Sequence, residues 1–282
     1  MTKPSRLVAL GVGLILSTIV APHARAQYNL GSIKVASGST LQPVFEGWEE
    51  NADGTFSFWF GYLNRNWEEE LNIPVGPDNN IEPGGPDLGQ PEIFHTGEQK
   101  RRQMFAFNVV VPADWPNDRD LVWSVTSAGE TLYAYASRLP VYMVDVNVIS
   151  ANRGSQRDVD PVNKNAAPVI SEAPKDQTVA VGTPLMLEVS VTDDGLPIPT
   201  RLSENLDRQL RVSWLQWRGP GHVNFDPESV PVTDSAGELS RVGGTASTNA
   251  TFDSPGTYVL LLYAEDVSHF SMQRVTVTVT DG

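Results

Sequence analysis

Apolar residues recur at every second position in several short segments of this chain, and that spacing constrains the fold more than any other feature. In the segment 55–62, Phe56, Phe58, Phe60 and Tyr62 share one face, while Ser57, Trp59 and Gly61 take the other. The segment 104–111 repeats the pattern, with Phe105, Phe107, Val109 and Val111 on one side. Segments 121–126 and 131–136 add two more strands, joined by a tight turn at Ala128-Gly129. Successive side chains of a strand point to opposite faces, so period-two segments bounded by Gly, Pro, Asn and Asp predict antiparallel β-structure. Helical periodicity is nearly absent, and the expected class is all-β, an antiparallel sandwich or barrel.

The first 26 residues read as a cleavable secretory signal. Lys3 and Arg6 form a positive start, residues 7–20 are an almost unbroken apolar run, and Ala24-Arg25-Ala26 supplies small residues before a cut at Gln27. That run is short for a membrane span, and no later segment is apolar enough to cross a bilayer. The expected address is periplasmic or secreted. No cysteine occurs anywhere, which excludes disulfides, thiol catalysis, thiolate metal sites and a lipid-bearing N-terminal cysteine. Stability must then come from hydrophobic cores. Loss of Lys3, Arg6 and Arg25 takes the net charge from −14 to −17. Such a charge repels nucleic acid and anionic membranes, attracts cations or basic partners, and favours solubility.

A first domain is expected over 27–150, a polar linker over 151–167 and a second domain over 168–282, with no anchor or further domain after the last strand. Between the first strands and Met104 runs a segment, 75–91, crowded with Pro, Gly, Asn and Asp. So many turn residues predict a long loop, and loops on rigid scaffolds are where binding functions concentrate. In the second domain, 178–181, 185–191, 211–217, 257–263 and 274–280 read as strands. Residues 201–210 read as a helical turn or a long loop.

The second domain resembles immunoglobulin-like repeats of the polycystic-kidney-disease (PKD) type. The matching residues are Asn165-Ala-Ala-Pro-Val-Ile, Val191-Thr-Asp-Asp-Gly-Leu-Pro197, Trp214 five residues before Gly219-Pro-Gly221, and Val223-Asn-Phe225. Thr251-Phe, Pro255-Gly-Thr-Tyr-Val-Leu260, Ala264-Glu-Asp266 and Val275-Thr-Val-Thr-Val279 follow in order. The resemblance implies a sandwich that serves as a spacer or as a contact module for protein or polysaccharide. Trp214 would fill the space between two sheets, and Tyr258 would lock a corner through its hydroxyl. Arg218, where a small residue is expected, reads as a surface departure. The first domain is similar to one found in uncharacterised exported bacterial proteins, through Phe45-Glu-Gly-Trp48, Asp53-Gly-Thr-Phe56, Phe60-Gly-Tyr-Leu-Asn-Arg-Asn66, Ile73-Pro-Val-Gly-Pro-Asp-Asn79 and Glu82-Pro-Gly-Gly-Pro86. That similarity brings no activity, and together the two resemblances imply two tandem immunoglobulin-like β-sandwich domains after the signal segment.

Catalytic motifs are missing. The mature chain has three histidines, His95, His222 and His269, in different loops, and no zinc-protease, nucleophile-elbow or phosphate-loop pattern. No catalytic residue is therefore assigned, and no cofactor is expected beyond a structural calcium ion. Asp193-Asp194-Gly195 and Asp266 fall in loops at one end of an immunoglobulin-like sandwich, where the linker residues Asp158, Asp160 and Asn163 also arrive. Converging oxygen ligands there would bind calcium; the alternative is ordinary Asx-turn chemistry. Among seven tryptophans, Trp67 and Trp115 lie in polar surroundings and are the candidates for stacking on a ligand, against the alternative of packing beneath the long loop. Trp48, Trp59 and Trp123 read as core. The reading that combines these points is a non-catalytic binding, adhesion or structural protein with a protein or polysaccharide partner. A carbohydrate-binding accessory protein is the first alternative, and a hydrolase with an unrecognised site the second. That last reading would need a histidine packed against a carboxylate in a pocket.

Overall fold

The structure is a computed structural model that describes residues 34–98, 100–152, 164–196, 210–266 and 268–282. The signal segment 1–26, Asp158, Asp160, Asn163 and most of 201–210 lie outside the described residues.

The first sandwich pairs a sheet of order β1 (Leu41–Glu50), β2 (Phe56–Asn64), β6 (Arg102–Val111) with one of order β4 (Asn79–Glu82), β7 (Leu121–Ser127), β8 (Glu130–Ala136). A two-stranded ribbon, β3 (Leu71–Asn72) with β5 (Ile93–Phe94), completes it. Phe58, Phe60, Phe107, Ile81 and Trp123 fill the space between the sheets and are almost fully shielded from solvent. The β7–β8 turn puts Ala128 and Gly129 at φ of 49° and 77°, as a two-residue hairpin requires.

Two expectations need correction. The segment 75–91 is not wholly loop: β4 lies inside it and pairs with β7 from Asn79↔Val125 to Glu82↔Val122. On β6, Phe105 does not share a face with Phe107. A register shift opposite Phe60/Tyr62 and a φ of 50° at Phe105 turn its ring to the far side of the sheet, against Trp59. The two faces of β2 are as expected, and both are buried: Phe56, Phe58, Phe60 and Tyr62 face the first core, while Phe105, Val144 and the second domain's Phe270 cover the face that carries Trp59.

Where a polar linker was expected from residue 151, a short helix, α1 (Val146–Asn152), reaches its start. The second sandwich follows. A five-stranded sheet has the order β10 (Gln177–Ala180), β17 (Phe270–Thr280), β16 (Gly256–Glu265), β12 (Arg211–Arg218), β14 (Ser229–Pro231). The facing sheet has the order β13 (Val223–Asp226), β15 (Gly243–Phe252), β11 (Leu185–Thr192), β9 (Val169–Glu172). Trp214 is buried between them with Leu187, Val189, Phe252, Leu260 and Val277. The hydroxyl of Tyr258 donates to the Ser254 carbonyl at 2.8 Å, the corner lock expected of it. The strand β15 gave no warning, since Gly, Ala, Ser and Asn dominate it and all are poor strand formers. Its alternation is real but small in volume: Ala246, Thr248, Ala250 and Phe252 point inward.

Residues 34–282 form one compact unit. The outer face of the five-stranded sheet carries Leu215, Trp217, Val259, Leu261, Tyr263 and Met272, and these pack against the first sandwich's core. Burying such a face on both sides is what joins the two sandwiches.

Candidate functional site

The loop that follows β4 builds the contact between the sandwiches. Gln90, fully buried, holds its shape: the Gln90 amide donates to the carbonyls of Asn79 (3.2 Å) and Pro86 (2.6 Å) and accepts from the Leu88 N–H at 2.9 Å. Asp87 accepts from the Gly89 N–H at 2.9 Å. Gly89 has a φ of 97°, and a Cβ there would lie 2.7 Å from the Arg274 guanidinium, so this position requires glycine. The Gly89 carbonyl accepts from Trp217 Nε1 (3.1 Å) and from Arg274 Nη2 (2.7 Å).

Arg218 closes the latch. Its two Nη atoms donate to the two Asp87 oxygens at 2.8 Å each, and it also donates to the Gln90 carbonyl. The residue read as a surface departure is in fact a bidentate fork between sandwiches, the geometry for which arginine is suited. Those paired hydrogen bonds hold the Asp87 carboxyl down at about 2, well below the ordinary 3.8. A depressed carboxyl contributes stability above its ordinary value and loses it as pH falls through its folded value. The interface is therefore expected to loosen between about pH 4 and pH 2. Solution scattering across that range should show the particle extend, and Asp87→Asn should flatten the acid-side transition. Because Asp87 is half-exposed, solvent screening keeps the step small.

Beside the latch lies a cleft of about 250 Å³ lined by Glu70, His95, Lys100, Gln216, His222 and Glu228. His95 Nδ1 sits 2.9 Å from Glu70 Oε2 and Nε2 sits 2.9 Å from the Gln216 carbonyl. Both neighbours are acceptors, so His95 meets each of them through a ring N–H where the contact is made. The His95 hydrogen bond is the main reason the Glu70 carboxyl lies below its usual range. His222 Nδ1 stands 4.0 Å from the other Glu70 oxygen and its side chain is mostly exposed. Lys100 and Glu228 pair across the same cleft at 2.5 Å. This is a histidine packed on a carboxylate in a pocket, with each ring nitrogen turned to an acceptor of the protein itself.

Trp115, expected to be exposed, is buried: its ring packs edge-on against Phe58, and Nε1 donates to the Arg119 carbonyl at 2.9 Å. Polar sequence neighbours misled here, because the turn 112–119 folds back over the ring. Trp67 is half-buried, with Lys34 Nζ 4.0 Å and Arg101 Cζ 4.3 Å from its ring centre. The open aromatic pair is elsewhere: Tyr133 and Tyr135, both about half-exposed, stand side by side on the outer face of β8 with ring centres 6.0 Å apart.

Asp193 and Asp194, which follow β11, and Asp266, which follows β16, lie in loops of the second sandwich with Asp193 near Asp266, but no three acidic or histidine side chains are grouped to hold a metal ion among the described residues. Asp194 accepts from the Ala166 N–H (2.8 Å) and the Leu196 N–H (2.9 Å), and so ties the start of the domain to this loop. Asp193 Oδ2 accepts from the Gly195 N–H at 2.9 Å. Asp266 is buried, and Oδ1 accepts from the Ser268 and His269 N–H groups at 2.7 Å each. Burial, with Asp266 and Asp194 nearby, pushes the Asp193 carboxyl up to about 6. Burial likewise raises Asp266. Sequence reasoning missed Asn165, a buried side chain that lies against Asp266. Its place just ahead of the Ala-Ala-Pro that opens the domain was the available signal.

No protein-family model matches this chain, and no curated protein matches it in sequence. Among solved structures it is similar to the tandem immunoglobulin repeats of Dlar, at 10% identity over 86% of this chain and 97% of that one, with a TM-score of 0.27. It is also similar to the D0–D1 domain of intimin, at 18% identity over 84% and 97%, with a TM-score of 0.24. Domains 4 and 5 of the S-layer protein SbsC follow at 11% identity over 73% and 78%, with a TM-score of 0.25. Likeness at this level goes no further than the immunoglobulin-like β-sandwich. Among the described residues, no helix is long and apolar enough to cross a membrane.

Proposed function

We propose that this chain is an exported, non-catalytic interaction or structural module of the bacterial envelope, in which two sandwiches are docked to present their surfaces at a fixed spacing. The observation that carries this reading is the use made of the Pro- and Gly-rich segment. Its Asp87, Gly89 and Gln90 are spent on Arg218, Trp217 and Arg274 of the second sandwich instead of being offered to a ligand. Support for export comes from the N-terminal segment, with its two basic residues, apolar run and Ala-x-Ala. Support for a PKD-type second sandwich comes from the order of its motifs, with Trp214 and Tyr258 in the roles that resemblance implies. The commitment of both His95 nitrogens argues for clamping over proton transfer.

The purified chain from Gln27 onward should turn over none of a panel of chromogenic ester, phosphate, glycoside and peptide substrates, and should be retained by isolated cell-envelope material. Turnover abolished by Glu70→Gln would overturn the non-catalytic reading. A second reading, polysaccharide binding, is favoured by Tyr133 and Tyr135, whose exposed rings adjoin Ser124 and Val122 across the β7–β8 pairing. Paired aromatic faces stack on sugar rings. If retention on purified polysaccharide is lost in the Tyr133→Ala/Tyr135→Ala double variant, this second reading replaces a protein partner.

A further inference from the structure

The segment 139–143, Leu-Pro-Val-Tyr-Met, has no charged side chain, yet it lies on the surface of the first sandwich. Leu139, Val141, Tyr142 and Met143 are all exposed, Val141 at 79% and Met143 at 62%, and Val148 of α1 is exposed a few residues on. The backbone beneath them is firmly held. Trp48 pins both ends: its Nε1 donates to the Leu139 carbonyl at 2.9 Å, and its own carbonyl accepts from the Val144 N–H at 2.9 Å. In between, the Tyr142 N–H donates to the Leu139 carbonyl (2.9 Å) and the Met143 N–H to the Pro140 carbonyl (3.2 Å). The Tyr142 ring packs edge-on against Phe45. Exposing apolar side chains costs free energy, and holding them in place in water recovers none of it. A contiguous group of them on a folded surface marks an interaction site.

Acidic residues flank this strap on two sides. Met143 runs parallel to Trp48, which brings Asp145 and Glu50, two residues further along each, to the same end of it. On the other side, Arg138 Nη1 donates to the Trp115 carbonyl at 2.9 Å, which sets the turn bearing Asp114, Asp118 and Asp120 beside Leu139. All five acidic residues are exposed. Arg138 is turned inward, its guanidinium 3.9 Å from the centre of the Phe56 ring. We propose that the strap 139–143 docks a segment of another protein in which apolar side chains lie between lysines or arginines. Tyrosine and methionine favour the core of such an interface, and charges at its rim set specificity and association rate. The same charges decide against two other occupants. A second copy would bring its own acidic rim against this one, and an anionic membrane surface would be repelled. The inference rests on the reading of the chain as an interaction module, and names the surface and the chemistry of the partner.

The test uses the purified chain from Gln27 onward and two labelled synthetic peptides, one with a leucine run between lysines and one with the same run between glutamates. Fluorescence anisotropy should show the lysine peptide binding, more tightly at about 50 mM than at about 500 mM salt, and the glutamate peptide failing to bind. Val141→Ser/Met143→Ser, at two exposed positions, should melt with the parent and weaken binding of the lysine peptide by at least about tenfold. Glu50→Lys/Asp118→Lys should weaken it too and flatten its salt dependence. A lysine peptide that does not bind, equal binding of both peptides, or binding that the serine variant leaves unchanged would overturn the proposal. So would a concentration-dependent dimer of the parent that the serine variant abolishes, since the occupant would then be a second copy. Retention by cell-envelope material separates this proposal from the reading it rests on. Full retention of the serine variant overturns the strap alone. A parent that is not retained overturns the broader reading, and the peptide result then decides the strap by itself.

Discussion

Trp217→Ala is expected to cost about 3–5 kcal/mol and to split one cooperative unfolding transition into two. Trp217 is 2% exposed although it points away from its own sandwich. Its ring meets Phe107 of the first sandwich with centres 6.2 Å apart, Nε1 donates to Gly89, and Arg274 lies 5.5 Å from the ring centre. Its backbone carbonyl accepts from the Glu92 N–H at 3.0 Å, a bond that alanine would keep. The loss is therefore mostly apolar volume and one hydrogen bond, and the cavity opens at the seam where the two cores touch. The second sandwich keeps its own core around Trp214, so it should melt near its original temperature while the first melts earlier. Trp214→Ala, three residues away on the same strand but facing inward, should instead destabilise the second sandwich directly. Calorimetry of both variants separates these outcomes. A single transition with less than about 1 kcal/mol lost in Trp217→Ala would mean that the seam contributes little.

The contrast between Trp217 and Trp214 also marks what could be read from the sequence. Trp214 followed from its place in an immunoglobulin-like pattern, and Tyr258 from the Pro-Gly ahead of it. The docking of the two sandwiches was not read, although the docked face leaves a signal of a different kind. Residues 258–264, Tyr-Val-Leu-Leu-Leu-Tyr-Ala, form an unbroken apolar run, and such a run marks a strand covered on both sides. The same holds for β2, where Trp59 interrupts the alternation. Arg218 could not be read, since its partner Asp87 lies 131 residues earlier in a segment whose fold depends on buried amides. Local pattern says nothing about such a pair. For the aspartates, the loops were legible from topology, whereas the burial of Asn165 against Asp266 is a property of three dimensions only.

Those buried amides give the second large prediction. Asn79 is fully buried, and its side chain meets three groups at once. Nδ2 donates to the carbonyls of Ile73 (2.9 Å) and Pro91 (2.7 Å), while Oδ1 accepts from Trp123 Nε1 at 2.9 Å. Asn79→Ala leaves all three without a partner in a site water does not reach, each at about 1–3 kcal/mol, so a loss of roughly 3–6 kcal/mol is expected. Asn79→Asp keeps the acceptor for Trp123 but aims a carboxylate at two carbonyls. At neutral pH it should be worse than alanine. Burial and those carbonyls raise its carboxyl in the folded state, so stability should return as pH falls and the acid becomes a donor. An aspartate variant whose stability declines steadily with acid, as the parent's does, would rule out this account. The damage should also reach the seam, because Gln90 frames the latch by donating to the Asn79 carbonyl. Asn79→Ala and Trp217→Ala combined should therefore cost less than their separate losses summed, since each already loosens what the other holds.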